Sequence, residues 1–495
     1  MKSSIETQRP NILLITVDQM RYDCLSILGH PVVETPNLDE LARTGVRFDH
    51  AYSATPTCVP ARAAIFTGQK QTSHGRVGYQ ERVPWNYPTT LPGELAKSGY
   101  HTQCVGKMHV YPARSLMGFH NVILHDGYLH YNRYKHSNTV QEHYDEVDDY
   151  LTWLRGQVPG ADLLDLGLDC NASTVARPWA LSEHLHPTNW TVSQSIDFLR
   201  RRDPSKPFFL WMSFVRPHSP LDPPQAYLDL YKDTDIPDPV IGEWAMKEDP
   251  EGHGFNPVTS KGIVPKRRLK LAKAAYYALI THIDHQIGRF LQALDEYGER
   301  NNTIIMFTSD HGELLGDHHL FRKSLPYEGS AHIPFIVNDP GGYLNLAQGS
   351  AVSEVVELRD IMPSLLTAAS IDIPASVEGE SVWELARAEE EASRNKPWRE
   401  YLHGEHAQGI ASTQWITNGA EKYIWYSQTG EEQFFNLVQD PGEIHNLIHH
   451  PQKQDRIRYW RSVLVQELKD REEGYVQDGR LVIGREPVAV LSHLR

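Results

Sequence analysis

The chain alternates between short apolar runs rich in β-branched residues and longer segments whose apolar positions recur every three or four residues. Four short runs, "NILLITV" (11–17), "PFFLWMSFV" (207–215), "TIIMFTS" (303–309) and "IPFIVND" (333–339), are continuous enough to be parallel strands buried on both faces. The longest amphipathic segment is "LAKAAYYALITHIDHQIGRFLQALDEYG". Its Tyr276, Ile280, Ile283, Ile287, Leu291 and Leu294 share one helical face, and Gly298 is placed to end the helix. Strands alternating with helices predict an α/β fold: a large, mostly parallel sheet sandwiched by helices.

The pattern breaks in two places. Residues 110–200 are dominated by Tyr, His, Trp and Asp with little periodicity, which predicts a long insertion over the sheet edge, near a substrate pocket or an oligomer contact. Near residue 385 comes the charged stretch "ARAEEEASRNKPWRE", which reads as a solvated helix and linker. Four short strand candidates follow, "YLHGEH", "TQWITNG", "EKYIWYSQ" and "EEQFFNL", separated by turn signals, and then a helix near 452–470. The expected organisation is a large α/β domain over 1–385 and a smaller C-terminal α+β unit over 386–495, an antiparallel sheet with one helix.

Composition narrows the function classes. The chain has 495 residues, 48 basic against 63 acidic, and a formal charge of -15. That balance argues against non-specific nucleic-acid binding, while leaving room for a locally cationic pocket. The four cysteines show no CxxC spacing, and a chain this large implies no disulfide framework. No apolar run reaches 18 residues, so no membrane helix is expected. The N-terminus carries no leader pattern, which predicts a cytoplasmic protein as written, or a periplasmic or secreted one if a signal peptide has been removed.

Parallel sheets bind ligands beyond the C-terminal ends of their strands. Two of those ends are acidic here: the first strand runs into Asp18-Gln19 and the third into Asp310-His311. Carboxylates at two strand ends can converge on one hard cation, with an amide oxygen from Gln19 and an imidazole nitrogen from His311; each Asp alone reads equally well as a helix cap. "TPTCVPAR" puts Cys58 at the start of an apolar helix, where free N–H groups favour an anion, with Arg62 one turn later on the same face. "VGKMHV" holds Lys107 and His109 two apart, on one face of an extended segment; "FVRPHSP" puts His218 beyond the second strand, and "HLFRKSLPYEG" holds Lys323. Singly, such residues are ordinary ion pairs and core histidines, and an isolated cysteine is usually a small buried hydrophobe.

Taken together, Cys-x-Pro-x-Arg, Lys-x-His, Pro-His, Asp-His-Gly and a following lysine, in this order, resemble the type I sulfatases of the alkaline phosphatase superfamily. The resemblance spans nearly the whole chain, from "RPNILLITVDQMR" through "YYALITHIDHQIG" to the tail "FFNLVQDPGEIHNL". It implies that Cys58 is oxidised to Cα-formylglycine by a formylglycine-generating or anaerobic sulfatase-maturating enzyme, with Pro60 and Arg62 among the recognition elements. It implies hydrolysis of a sulfated sugar, small alcohol or aryl sulfate by the hydrated aldehyde, whose first hydroxyl attacks sulfur and whose second expels sulfate. In that reading one divalent cation sits on Asp18, Gln19, Asp310, His311 and residue 58, and Arg62, Lys107 and Lys323 stabilise charge. His218 serves the leaving oxygen and His109 the second hydroxyl.

Three departures from the family pattern matter. Gln19 and His311 stand where many members have Asp and Asn, which lowers the anionic charge and adds a nitrogen ligand. Ca²⁺ is the expected ion, with Mn²⁺ or Mg²⁺ as alternatives. His332 stands where relatives often have arginine. The alternative activity is phosphonate or phosphate monoester hydrolysis, since Asp-His after the strand also looks like the phosphonate monoester hydrolases; Lys107-x-His109 favours the sulfatase. A third reading is an anion-binding protein with unmodified Cys58. For the leaving group, His403, Glu405 and His406 of "HGEH" are candidate substrate contacts, and Tyr128, Tyr131, Tyr134 and Trp153 could stack on a ring, although such aromatics are more often core.

Overall fold

The first strand sets the architecture. In the computed structural model, which describes residues 9–127, 147–161, 163, 169–387 and 397–495, strand β1 (Asn11–Asp18) is buried along its whole length. Its side chains alternate between two cores. Ile12 and Leu14 join one with Ile65, Phe66 and Trp211, whereas Leu13, Ile15 and Val17 join the other with Tyr276, Ile280 and Ile287. A strand that is apolar at every position has to lie in the middle of a sheet with helices on both faces.

The longer elements, in chain order, are β1, α1 (Pro36–Arg43), β2 (Val46–Phe48), α2 (Cys58–Thr67), β3 (His101–Gly106), β4 (Asn121–Leu124), α3 (Pro187–Arg201), β5 (Phe208–Pro217), α4 (Lys266–Glu296), β6 (Thr303–Ser309), β7 (Phe335–Asn338) and β8 (Ser350–Val352). They form an eight-stranded sheet in the order β4-β3-β5-β1-β6-β7-β2-β8. Strands β4, β3, β5, β1 and β6 are mutually parallel. The strand expected at 333–339 is shorter and pairs antiparallel to β6, as β2 does to β7, so that side of the sheet is mixed. Its buried apolar run reports burial on both faces, which does not distinguish strand direction.

Residues 110–200 do more than cover an edge. They supply the edge strand β4 and helix α3, whose Val192, Phe198 and Leu199 pack in the core beneath the sheet. Trp153 packs among Tyr150 and Trp190, while Tyr128, Tyr131 and Tyr134 lie outside the described residues.

The C-terminal strands β9 (Leu402–Gln408), β10 (Ala411–Thr417), β11 (Glu421–Tyr426) and β12 (Glu432–Asn436) form an antiparallel meander, followed by α5 (Gln454–Leu468). The meander has two apolar faces. Ile416, Tyr423, Trp425 and Phe434 pack on Ile457, Trp460 and Leu464 of α5. Their neighbours Trp415, Ile424 and Phe435 pack instead on Tyr52, Leu314 and Tyr327 of the large domain. Gly404 is required there, because a Cβ at that position would lie 2.0 Å from the Trp415 ring. At the same seam, Lys422 is buried and donates to Glu328 at 2.7 Å and Glu443 at 2.8 Å. His332 stacks between Tyr22 and Tyr52, with its Nε2 donating to Asp49 O (2.8 Å) and its Nδ1 2.6 Å from Glu328 Oε2. The histidine that departs from the family pattern is thus part of the packing that holds the two sheets together. Among the described residues no helix is long and apolar enough to cross a membrane.

Candidate active site

Four adjacent parallel strands end side by side. Strand β3 runs into Lys107, β5 into His218, β1 ends at Asp18 before Gln19, and β6 runs into Asp310 and His311. Backbone bonds lock this row: the N–H of Lys107 donates to Ser213 O at 2.8 Å, that of His218 to Asp18 O at 3.0 Å, and that of Asp310 to Val17 O at 3.2 Å. Helix α2 lies over the row with Cys58 as its first residue. Pro60 sits in the first turn, where no intrahelical N–H is needed, and every residue of α2 is buried.

The Cys58 thiol stands where the resemblance expects the formylglycine oxygens. Its Sγ lies 3.2 Å from His311 Nε2, 3.4 Å from Lys107 Nζ, 3.5 Å from Lys323 Nζ and 3.6 Å from Asp18 Oδ1. Lys107 also donates to Asp18 in a close buried pair. Burial works against that ammonium, but Asp18 and Cys58 outweigh it and hold its pKa above the ordinary lysine value. Burial likewise opposes the Asp18 carboxylate, yet Lys107, His218, Lys323 and His311 hold it well below the usual range. Arg62, fully buried, donates from Nε to Asp310 Oδ2 at 3.1 Å and from Nη1 to Lys107 O and Ser213 Oγ, while its Nη2 has no partner among the described residues.

The donors here fit a cation. Single ligand atoms of Asp18, Cys58, Asp310 and His311 all lie within 4.8 Å of one another. His311 Nδ1 is 3.0 Å from Gly312 O, and a carbonyl only accepts, so Nδ1 carries the proton. Nε2 then offers a lone pair toward Asp18 Oδ1 at 3.4 Å and Asp310 Oδ1 at 3.6 Å. Burial keeps this ring neutral by lowering its pKa. A lone pair facing two carboxylate oxygens in a dry site is repulsive unless a positive ion lies between them, and a ligating histidine typically has its other ring nitrogen anchored to a carbonyl, as Nδ1 is to Gly312 O here. Gln19, at φ 76, turns its Oε1 to Lys323 Nζ (2.8 Å) and its Nε2 to Glu313.

A cavity of about 740 Å³ opens above Cys58 and is lined also by His109, His218, Lys323 and His406. His218 donates from Nδ1 to Ser219 O at 2.8 Å; burial first, and Lys323 next, keep it neutral. His109 is not on an extended segment as expected. It sits at φ 58, with its own N–H and that of Met108 both donating to Asp126 Oδ1. Its Nε2 lies 3.0 Å from Glu81 Oε1, and its buried Nδ1 has no partner among the described residues. Burial, then His311 and Lys323, bring the His406 pKa down to about 3.

The structure does not bring His403 and Glu405 to this cavity. Side chains alternate along β9, and the register pairs His406 with Thr413 and Gln408 with Ala411; all four line the cavity. His403 and Glu405 point the other way, to Gln414. Glu405 is 1 % exposed and its Oε2 accepts from Arg471 at 2.6 Å. Sequence reasoning missed the residues that orient the site. Glu313, two beyond His311, takes the Gln19 amide and the N–H groups of Leu315 and Arg322. Glu81, Asp126 and Ser213 were missed as well. Only Glu313 carried a sequence signal, its place in "DHGE" beside an expected ligand.

Comparison with known proteins places these features in a family. A family model described as Sulfatase matches residues 10–371, and one described as N-sulphoglucosamine sulphohydrolase, C-terminal, matches residues 316–471. An arylsulfatase of Clostridium perfringens is 56% identical over 98% of this chain and 100% of its own length. The crystal structure of a phosphonate monoester hydrolase of Agrobacterium radiobacter, 25% identical, superposes with a TM-score of 0.73 over 92% of this chain and 95% of that one. A protein solved in complex with D-glucosamine-2-N,6-O-disulfate, its substrate, shares the fold at 20% identity and a TM-score of 0.72, covering 93% and 98% of the two chains.

Proposed function

This chain belongs to the sulfatase family, and from that premise we propose how its own residues carry out sulfate ester hydrolysis. The enzyme hydrolyses sulfate monoesters to an alcohol and inorganic sulfate. The observation that carries the assignment of roles is the convergence of Lys107, Lys323, His311 and Asp18 on the Cys58 sulfur. Residue 58, once converted to the hydrated aldehyde by a maturating enzyme, supplies two hydroxyls on one carbon, one to attack sulfur and one to expel sulfate and restore the aldehyde. Asp18, Gln19, Asp310, His311 and residue 58 would hold a divalent cation, which would supply a Lewis acid to make the attacking hydroxyl more acidic. Ca²⁺ is our assignment, because carboxylate and amide oxygens form most of the donor set.

The remaining roles follow from position. Lys107 and Lys323 neutralise the sulfuryl oxygens, aided by the free N–H groups at the start of α2. Arg62 holds Asp310 and the Lys107 carbonyl in place. His218 faces the cavity through Nε2. The negative charge of a bound ester offsets Lys323, the strongest charge now keeping that ring neutral, so that a proton is available as the S–O bond to the alcohol breaks. His109 Nδ1, an acceptor without a partner, takes the proton of the second hydroxyl.

Phosphonate ester hydrolysis is the second reading. Asp310-His311 after the strand resembles that class, and a phosphonate monoester hydrolase shares the fold. Matched kinetics decide between them: kcat/KM for an aryl sulfate should exceed that for the matching phosphate or phosphonate at least about tenfold, roughly 1.4 kcal/mol of transition-state discrimination. A preference for the phosphonate would overturn the assignment.

A further inference from the structure

The rim of the cavity carries more positive charge than one sulfate ester uses. Arg62, Lys107 and Lys323 are already committed around residue 58. Three further cations, Arg82, Lys261 and Arg322, line the same cavity. Among the described residues the side chains of Lys261 and Arg322 make no ion pair or hydrogen bond. By contrast, Lys266 and Lys270 pair with Asp238 and Asp235. One carboxylate, Glu81, lines the cavity among the described residues, and it is taken by His109 and by the Tyr79 hydroxyl at 2.6 Å. A chain of net charge -15 has thus kept its reaction cavity cationic, with Lys261 and Arg322 unpaired on its rim among the described residues.

The backbone that carries the two cations is also held in place. Lys261 pairs with Leu320 in an antiparallel bridge, with the N–H of Phe321 donating to Ser260 O and that of Gly262 to His319 O, both at 2.9 Å. Arg322, at φ 65, donates its N–H to Glu313, the residue that also holds Gln19. The backbone that fixes the metal-side amide therefore fixes the rim cation too. A preorganised pair of unpaired cations beside a reaction centre favours a ligand that brings its own negative charge there.

We propose that Lys261 and Arg322 form a subsite for a second anionic group, so that the preferred substrate is a sulfated saccharide carrying another sulfate or a carboxylate beyond the ester that is cleaved. Asn171, Gln408 and Thr413, also on the cavity wall, suit the hydroxyls of such a sugar. The inference rests on the sulfate-ester reading above but is separable from it.

The test is binding by calorimetry to the metal-loaded Cys58→Ala protein, which does not turn substrate over. Three disaccharides share one sulfated ring and differ in the second, which is uncharged, carries a carboxylate or carries a second sulfate. At least one anionic disaccharide should bind about tenfold more tightly than the uncharged one, and the comparison of the two tells which anion the subsite takes. Lys261→Ala/Arg322→Ala in the same background should abolish the difference, and raising ionic strength should shrink it. Equal affinities for all three, absence of binding by any, or a preference that survives the double substitution would overturn the proposal. Sulfate release from 4-nitrophenyl sulfate by the matured Cys58 protein is measured separately; its absence would count against the parent reading and leave the affinity comparison standing.

Discussion

Glu405 separates a structural reading of the C-terminal sheet from a substrate-binding one. It lies next to His406, which lines the cavity, yet it faces away, into an ion pair with Arg471. Replacing it with Gln keeps the shape and an acceptor for Arg471 but removes the charge, which should cost about 1 kcal/mol, the difference between a charge-assisted and a neutral hydrogen bond. Replacing it with Ala removes both bonds and leaves the Gln414 amide without that acceptor. Losing one partner of a buried pair costs about 3–5 kcal/mol when the survivor is stranded. Arg471 is not stranded, because Nη2 still reaches Glu473 Oε1 at 2.7 Å and Nε reaches Oε2 at 3.2 Å. The expected loss for Glu405→Ala is therefore at the low end, about 3 kcal/mol. Urea unfolding followed by tryptophan fluorescence measures it, with Trp415 and Trp425 in the affected sheet. KM for an aryl sulfate should stay within about twofold in the folded variant, since a truncated side chain that does not touch substrate removes no binding. A KM raised fivefold or more in a variant with unaltered stability would refute the reasoning.

Cys58→Ala should abolish sulfate release while leaving the urea midpoint within the range of a conservative core change, and the matured wild-type should be about 18 Da lighter than the sequence mass, as oxygen replaces sulfur with loss of two hydrogens. Protein purified without added metal should contain about one hard cation per chain, and chelation should remove activity that Ca²⁺ restores; two zinc ions per chain would point to a phosphatase. Buried Asp284 gives a pH signature: burial pushes its carboxyl up to about 6, despite N–H bonds from Asn37 and Leu38. Between its ordinary 3.8 and that value the folded state holds the extra proton, so stability should fall as pH rises from about 4 to about 6 by on the order of 3 kcal/mol, and Asp284→Asn should flatten that slope.

What the sequence revealed and what it hid follow from the range of the interactions concerned. Apolar runs announce burial, so β1, β5 and β6 were legible, and their acidic ends were legible because parallel sheets place ligands there. The direction of β7 was not, because burial on both faces looks alike in either direction. Alternation along "HGEH" was visible, but which face met the cavity depended on packing against Tyr52 and α5, hundreds of residues apart in one case. His109 was found as half of Lys-x-His, yet its left-handed backbone and its bond to Glu81 come from Asp126 and a distant loop. Lys261 and Arg322 had no signal at all: an unpaired cation is defined by what is missing around it, and only the fold shows that.

The charge arrangement also limits what can choose between esters. Two carboxylates, Asp18 and Asp310, face three cationic side chains, Arg62, Lys107 and Lys323, before a divalent ion adds its own charge. Such a site attracts a sulfate with one negative charge and a phosphate with nearly two, so ground-state attraction favours neither in the way the reaction requires. Gln19 and His311 remove negative charge relative to an all-carboxylate site and strengthen that attraction for both. Discrimination then has to come from groups that act as bonds break. His109 is the candidate with the most specific geometry: it lines the cavity, its Nε2 is tied to Glu81, and its buried Nδ1 has no partner among the described residues. An acceptor at that point serves a reaction in which a second hydroxyl must lose its proton to release the product, and it has no task when a nucleophile is freed by a water attack at the transferred group instead. The tie between Glu81 and His109, more than the total of cations, is therefore where this chain differs as a sulfate ester hydrolase from a generic anion site.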